Sequence, residues 1–310
     1  MKLKTIFAFV ALSGLALSSY GQTTTIVNDT WADVNRTSSG PDGSGIDSQW
    51  FTSSAANMSV PGAGDLRTTP PAGSMFNTTY FPSAISPFGP AGVTLTTPGQ
   101  TLSVTWVFTL TGVNANNVNQ NLLVAVANTP GAHLAADGSP ASEQYAGYST
   151  FMNMGATLGN ANPFALKEWT LVGTGALLGT SANWGANGVS GGNLAVTGTS
   201  GNTGFENTTY TYLMTLTLGA SGNLLVTNSI TGGTLLNGVG SESVSYNDAT
   251  PNSLTFDTFA FRTGTSSATA AQFDTSQFLV QLITPVPEPA TFALAGLGVL
   301  GLVFARRMRR

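Results

Sequence analysis

The chain has 310 residues, of which 8% are charged and 42% are hydrophobic, with one histidine and no cysteine. A soluble domain usually has about 25% charged residues, so this chain is unusually poor in charge. The hydrophobic fraction is enough to build a core, which argues against general disorder. The lack of cysteine excludes disulfides, thiol nucleophiles and cysteine-ligated metals, and a single histidine excludes multi-histidine metal sites.

The first predicted element is a helical signal peptide at residues 1–21. Lys2 and Lys4 give a basic start, an apolar run follows, and small residues lead to a predicted cut between Gly21 and Gln22. The alternative is an N-terminal membrane anchor, but the apolar run is shorter than the about 20 residues that span a bilayer. We therefore expect export through the Sec pathway.

The body, residues 22–285, shows the two-residue periodicity of β-strands. The clearest predicted strands alternate apolar and polar residues, at Leu102–Leu110, Tyr210–Leu218 and Phe278–Leu282. Because no repeat of about 20–50 residues is present, a solenoid is disfavoured. The prediction is a single all-β domain, an antiparallel β-sandwich of the jelly-roll kind. Further strands are predicted at Thr24–Val27, Gly92–Thr96, Leu122–Ala127, Ala165–Val172, Leu194–Thr197, Leu224–Ile230 and Leu254–Arg262.

The charge of the body limits its partners. Four basic and thirteen acidic residues lie between the two ends, which gives the body a net charge of about −9. A surface of this charge cannot neutralise a phosphate backbone, so nucleic acid is excluded as a partner. Strongly anionic polysaccharides are disfavoured for the same reason.

The body offers no recognisable catalytic pattern, and we expect a protein that is not an enzyme. Glu143, Glu168, Glu206 and Glu242 are isolated in sequence, whereas glycoside hydrolysis needs two carboxyl groups about 5–10 Å apart. We interpret the four as solubilising surface charges. His133 lies in a turn-rich segment without an identifiable serine nucleophile, so it is interpreted as incidental.

Two weaker site hypotheses concern binding. Asp29, Asp33, Asp42 and Asp47 are candidate calcium ligands, because carboxylate and carbonyl oxygens suit this ion; the alternative is an ordinary Asp/Gly turn. Apart from this calcium, no cofactor is expected. Trp184 lies in a polar, glycine-rich segment and is a candidate for stacking against a sugar; the alternative is burial in the core.

The C-terminal segment, residues 286–310, has three features in a fixed order. A rigid triplet of Pro287, Glu288 and Pro289 precedes a short apolar stretch, Ala290–Ala305, which predicts a transmembrane helix of about 24 Å. Basic residues that follow an apolar span stay on the cytoplasmic side. The chain closes on such a cluster, formed by Arg306, Arg307, Arg309 and Arg310.

These residues resemble the PEP-CTERM sorting domain of Gram-negative bacteria. The resemblance implies recognition by an exosortase at the inner membrane, cleavage near the proline triplet and delivery to the cell surface or extracellular matrix. The two ends of the body, Asn28–Thr37 with Trp50-Phe51 and Phe256–Arg262, resemble those of jelly-roll domains of the concanavalin A-like, laminin G-like class. That class implies first and last strands that are near each other in one sheet.

Together these observations predict an exported protein with a structural or adhesive role in an exopolysaccharide matrix. Its uncharged Thr, Ser and Asn faces suit hydrogen bonds to neutral glycans. One alternative is a lectin-like carbohydrate-binding module with a defined sugar site, to which calcium could contribute. A glycan-active enzyme is the less favoured alternative and would require two carboxyl groups that converge in a cleft.

Overall fold

The structure is a computed structural model. It describes residues 21–38, 40–41, 46–82, 92–155, 163–170, 174–179, 181–186, 189–190, 193–199, 204–235 and 240–285. The predicted signal helix and C-terminal transmembrane helix lie outside these ranges. Within them, no helix combines the length and the apolar character needed to cross a membrane. Residues 23–284 form one compact unit, and residues 1–22 and 285–310 are grouped in a second.

Strands make up almost all of the regular structure described, together with two single-turn 3₁₀ helices at Ala55–Asn57 and Ser181–Asn183. In chain order the strands are β1 (Gln22–Asp29), β2 (Gly40–Pro41), β3 (Ile46–Asp47), β4 (Trp50–Thr52), β5 (Met58–Gly62), β6 (Asp65–Thr68), β7 (Met75–Tyr80), β8 (Val93–Thr94), β9 (Thr101–Val113), β10 (Gln120–Asn128), β11 (Ser142–Glu143), β12 (Ala146–Asn153), β13 (Phe164–Trp169), β14 (Gly175–Ala176), β15 (Trp184–Ala186), β16 (Val189–Ser190), β17 (Thr197–Thr199), β18 (Thr209–Leu218), β19 (Leu224–Thr231), β20 (Ser241–Asp248), β21 (Thr255–Phe256), β22 (Thr258–Thr263) and β23 (Ala270–Thr284).

The long strands form two antiparallel sheets. The first sheet has the order β17-β20-β19-β18-β9-β23-β6-β5, and β1 also pairs with β23. The second sheet has the order β16-β15-β13-β12-β10-β22-β7-β4. Neighbouring strands along both orders run antiparallel. The predicted class, an all-β antiparallel sandwich, is therefore confirmed, as is the predicted proximity of the first and last strands.

The main core lies between the two sheets, where their inward side chains meet. Trp106 on β9 stacks on Phe261 on β22, with ring centroids 4.6 Å apart. Trp50 on β4 contacts Phe278 on β23 edge to face at 5.3 Å. Since these pairs join different sheets and their rings are buried, aromatic contacts fix the sheets face to face.

A second, smaller apolar cluster covers the other face of the second sheet. It contains Phe151 and Trp169 from the sheet, together with Tyr145, Leu177 and Leu178 from the connections that surround β11 and β14. These two short strands pair with each other and form a separate ribbon. The second sheet is therefore buried on both faces at this point, whereas an ordinary antiparallel sheet has one wet face.

Candidate polysaccharide-binding pocket and sorting motif

The predicted calcium ligands fix the connection between β1 and β4. The buried carboxylate of Asp29 accepts a hydrogen bond from the Trp31 backbone N–H at 2.8 Å. Its second oxygen accepts two from Ser48, from the backbone N–H at 3.0 Å and the hydroxyl at 2.7 Å. Burial raises the pKa of Asp29 above its ordinary value, although these hydrogen bonds oppose the change. Asp29 therefore acts as a structural link between the two ends of the connection.

Among the described residues, Asp33 and Asp47 are the other predicted ligands, and they do not form a metal site with Asp29. The Ser38 hydroxyl donates to Asp33 at 2.7 Å and lies 3.2 Å from a carboxylate oxygen of Asp47. Asp42 lies outside the described residues. Among the residues that the structure describes, no group of three acidic, histidine or cysteine side chains is arranged to hold a metal ion. Asp29 already accepts three hydrogen bonds from the chain itself, which is the role the structure gives it.

A surface pocket lies beside this connection, where it meets the segment that follows β10. Its volume is about 330 Å³, at the lower end of the about 300–1,000 Å³ of small-molecule sites. The Arg36 guanidinium and the Asp137 carboxylate form a bidentate pair across it, at 3.0 and 2.6 Å. The lining residues are Arg36, Thr37, Gln49, Phe51, Ala135, Ala136 and Asp137.

Further hydrogen bonds hold the pocket in shape. Arg36 donates a third hydrogen bond to the Trp50 backbone carbonyl at 2.7 Å, and Asp137 also accepts one from the Thr52 backbone N–H at 3.1 Å. The hydrogen bond from Arg36 lowers the pKa of Asp137 below its ordinary value, so this carboxylate stays ionised at neutral pH. The exposed Gln49 donates to the Thr37 carbonyl at 2.8 Å.

A row of rings extends from the pocket. Phe51 contacts Tyr80 at 6.0 Å, and Tyr80 stacks on His133 with centroids 3.9 Å apart and planes 9° apart. The Nε2 atom of His133 lies 3.1 Å from the Asp257 carboxylate, which is buried and also accepts a hydrogen bond from the Thr129 backbone N–H. His133 was interpreted from sequence as incidental, but the ring of Tyr80 and the carboxylate of Asp257 hold it in place. Its contacts among the described residues do not join it to a serine nucleophile.

Two of the four glutamates are not surface charges, which corrects the expectation for Glu168 and Glu242. Both are buried, because they lie on inward-facing strand positions of β13 and β20. Burial raises the pKa of Glu168 to about 7, and the negative charge of Asp248 adds to the effect. The Asn252 amide donates to Glu168 at 2.7 Å, and the Tyr148 hydroxyl donates to Asp248 at 2.5 Å.

The structure also corrects the expectation for Trp184. Its ring is fully buried and packs edge to face on Trp169, with centroids 5.2 Å apart. The two tryptophans are register partners of β13 and β15, so strand pairing brings them together. Neither face of the Trp184 ring is open to a sugar, and the aromatic residue that lines the pocket is Phe51, which is 7% exposed.

The predicted processing sites lie at the two ends of the chain. Gly21 and Gln22 are exposed, and Gln22 begins β1. The sorting residues Pro287, Glu288 and Pro289 lie outside the described residues, as does the arginine cluster.

Comparison with known proteins identifies a sorting signal at the C-terminus. Residues 285–310 match the PEP-CTERM protein-sorting motif. The chain is therefore an exported surface protein that is sorted through its C-terminal end. The comparison with curated proteins finds no match.

Solved structures similar to this chain include carbohydrate recognition domains and a glucanase. The potassium-bound Emp46p carbohydrate recognition domain is 10% identical, with 83% of this chain and 95% of that chain covered and a TM-score of 0.46. The VIP36 exoplasmic/lumenal domain with bound Ca²⁺ and mannose is 11% identical, with coverage of 83% and 88% and a TM-score of 0.44. An endo-1,3-beta-glucanase from Streptomyces sioyaensis is 16% identical, with coverage of 85% and 97% and a TM-score of 0.42.

Proposed function

We propose that this protein has a non-enzymatic, adhesive role in an extracellular polysaccharide matrix and binds neutral glycan in the Arg36–Asp137 pocket. The observation that carries the proposal is the pocket itself, in which Arg36 and Asp137, both hydrogen-bonded to the backbone, line the wall together with Phe51 and two alanines. A small-molecule site of this kind combines an apolar wall with a few oriented polar groups.

The route to the surface is part of the proposal. Its support is the sorting motif at residues 285–310. We infer cleavage of the signal peptide between Gly21 and Gln22, transient anchoring by the C-terminal helix and cleavage near Pro287–Pro289 by an exosortase at the inner membrane. A mature chain that starts at Gln22 keeps β1 intact, since that strand begins at this residue.

The chemistry of the pocket suits sugar hydroxyls. Arg36 offers N–H donors, Asp137 offers lone pairs, and the Gln49 side chain offers both at an exposed position. The Arg36–Asp137 pair neutralises itself, so the pocket presents no uncompensated charge and favours a neutral ligand. The exposed part of Phe51, together with Ala135 and Ala136, forms an apolar wall for the C–H groups of a sugar.

Acidic side chains in the described residues support a binding role over a hydrolytic one. Asp137, the carboxylate that lines the pocket, is held by Arg36 and kept ionised. Glu168 and Asp248 are close to each other but are buried in the body. A glycosidase needs two carboxyl groups on opposite sides of a sugar bond, one of them a proton donor.

The test is titration of the purified body, residues 22–285, with neutral cello- and chito-oligosaccharides. We expect saturable binding to one of them, and an at least tenfold weaker affinity for Gln49→Ala, which removes an exposed amide and leaves the core intact. EDTA should leave the affinity unchanged, because the described acids do not form a calcium site.

The matched control is Gln22→Ala, which removes an exposed glutamine at the start of β1. This variant should bind as the wild type does, and both variants should keep its melting temperature. Equal affinity of Gln49→Ala and the wild type would contradict the pocket assignment, and binding abolished by EDTA would favour the calcium-dependent lectin alternative.

A further inference from the structure

On the four strands β9, β18, β19 and β20, the outer face of the first sheet is an uncharged array rich in hydroxyl groups, whereas β6 and β23 beside them carry the Arg67–Asp274 ion pair. On β18 the side chains of Tyr210, Tyr212, Met214, Leu216 and Leu218 enter the core, so the residues between them face outward. The same alternation holds along β9, β19 and β20. The outward residues of these four strands are Thr101, Ser103, Thr105, Val107, Thr109, Thr111, Thr209, Thr211, Leu213, Thr215, Thr217, Leu225, Thr227, Ser229, Thr231, Ser241, Ser243, Ser245 and Asn247.

These hydroxyls lie in rows because the strands are in register. Thr197 on β17 pairs with Ser245, which pairs with Thr227, which pairs with Thr215, which pairs with Ser103. Five hydroxyl residues thus cross five strands in one line. Since neighbouring strands are about 4.8 Å apart, the line is about 19 Å long, and parallel lines follow at about 6.8 Å along the strands.

Contacts within the array hold its side chains in place. The hydroxyls of Thr101 and Thr217 are 2.8 Å apart, and those of Thr109 and Thr209 are 2.7 Å apart. A hydroxyl has one donor and two lone pairs, so such a pair keeps a donor and several lone pairs for an outside partner. Threonine is also stiff at χ1, which reduces the entropy lost when a partner orders the face.

The lack of charge on these four strands favours a neutral partner. None of the outward residues on β9, β18, β19 and β20 is charged, whereas the body as a whole is strongly negative. An anionic polymer would be repelled by that net charge and would find no cation on these strands. A protein partner would usually need a contiguous apolar core, but Val107, Leu213 and Leu225 are scattered singly among the hydroxyls.

We propose that this face binds the surface of a neutral, extended polysaccharide, with its hydroxyl rows in contact with the hydroxyls and C–H groups of the polymer. The surface is on the opposite side of the sandwich from the pocket, because the pocket residue Phe51 points away from the core on the second sheet. This proposal rests on the proposed function for the chemical class of the ligand, a neutral glycan. The two surfaces differ in what they bind, because the outer face needs a flat polymer surface and the pocket takes a short chain.

The test is retention of residues 22–285 on insoluble cellulose and chitin in the presence of saturating short oligosaccharide. The variant Thr215→Val, Thr227→Val and Ser245→Ala removes three hydroxyls from one row and keeps side-chain shape. We expect its retention to fall at least tenfold while its oligosaccharide affinity stays unchanged. The matched control, Thr23→Val, Thr24→Val and Thr25→Val, changes exposed threonines of β1 and should be retained like the wild type.

The outcomes separate the two surfaces. Wild-type retention of the triple variant would overturn the proposal, and if Gln49→Ala alone lost retention, the pocket would account for all binding. Absence of wild-type retention on both polymers would also overturn it, whatever the oligosaccharide titration shows. A wild-type dimer that the triple variant converts to a monomer, without polymer binding, would assign the face to self-association instead.

Discussion

At the scale of single residues, the interior of the sandwich contains a pair of acidic side chains, Glu168 and Asp248. Glu168 comes from the second sheet and Asp248 from the first, and Tyr148 donates its hydroxyl hydrogen bond to Asp248. Burial and the neighbouring Asp248 raise the pKa of Glu168 from 4.5 to about 7. Since folding raises this pKa, the folded chain binds more protons than the unfolded chain between those pH values.

We therefore predict that Glu168 makes the protein less stable as the pH rises. The free energy of unfolding should fall between about pH 4.5 and pH 7, by at most about 3 kcal/mol from this group. Glu168→Gln keeps an oxygen for the Asn252 amide and removes the titration, so its stability should be nearly independent of pH in this range. Urea unfolding at several pH values measures the effect.

Glu206→Gln is the control, because Glu206 is exposed and should leave the slope unchanged between pH 5 and pH 7. A Glu168→Gln protein with the same slope as the wild type would show that Glu168 is not the group responsible. The sequence could not reveal this pair, since its two members are 80 positions apart and meet only when the sheets stack.

At the scale of single elements, the pairing of β12 with β10 depends on the glycine at position 147. Gly147 has a φ of +154° and pairs with Ala127 on β10. A Cβ at this position would lie 2.3 Å from the Val126 carbonyl oxygen, which is part of the neighbouring backbone and cannot move away easily. The close approach of β10 and β12 therefore requires a residue without a side chain.

We predict that Gly147→Ala destabilises the protein by about 1–3 kcal/mol, the usual cost of an overpacked core position. Denaturant unfolding at fixed pH measures this loss. Gly73→Ala is the control, because a Cβ there meets nothing within 4 Å and its backbone is not in the left-handed region. Equal stability of the two variants would mean that β10 and β12 can separate without penalty.

The strands that alternate cleanly in sequence are those with one wet face, although β10 and β13, which are buried on both faces, are also predicted. β9 and β18 alternate cleanly, and the two similar segments prove to be register partners. β12 was not predicted because the buried polar residues Ser149, Thr150 and Asn153 lie among its apolar ones and it shows no alternation. β20 was not predicted because its inward positions include Glu242 and Asp248, which are poor signals of a core. Composition around Trp184 suggested a loop, but strand pairing decides its burial.

The candidate pocket could not be predicted, for a related reason. Arg36 and Asp137 are separated by 101 positions, and each stands alone in an ordinary polar segment. Their bidentate contact exists because β4 and the segment after β10 meet at one side of the second sheet. The C-terminal motif, in contrast, was predictable because a sorting signal is linear and does not depend on tertiary contacts.

At the scale of the whole molecule, the C-terminal segment contains the sorting motif. We predict that replacement of Pro287, Glu288 and Pro289 by alanine leaves the chain in the membrane fraction, because the proposed cleavage near the triplet is prevented. Cell fractionation and the mobility of the chain on a gel measure this. Alanine at Ser221 and Asn223, in an exposed turn of the body, should leave processing unchanged. Normal processing of the triplet variant would contradict the proposed cleavage.

The position of the last strand has a mechanical consequence. β23 lies between β9 and β6 and ends at Thr284, just before the sorting motif begins. A chain tethered at this end and held by polymer on the outer face of the first sheet would be loaded along the axis of β23. That load acts in shear on the twelve register pairs between β23 and β9. In shear these pairs must break together and not one after another. Any attachment at this end, even a transient one, would therefore join the domain where the strand pairing resists pulling.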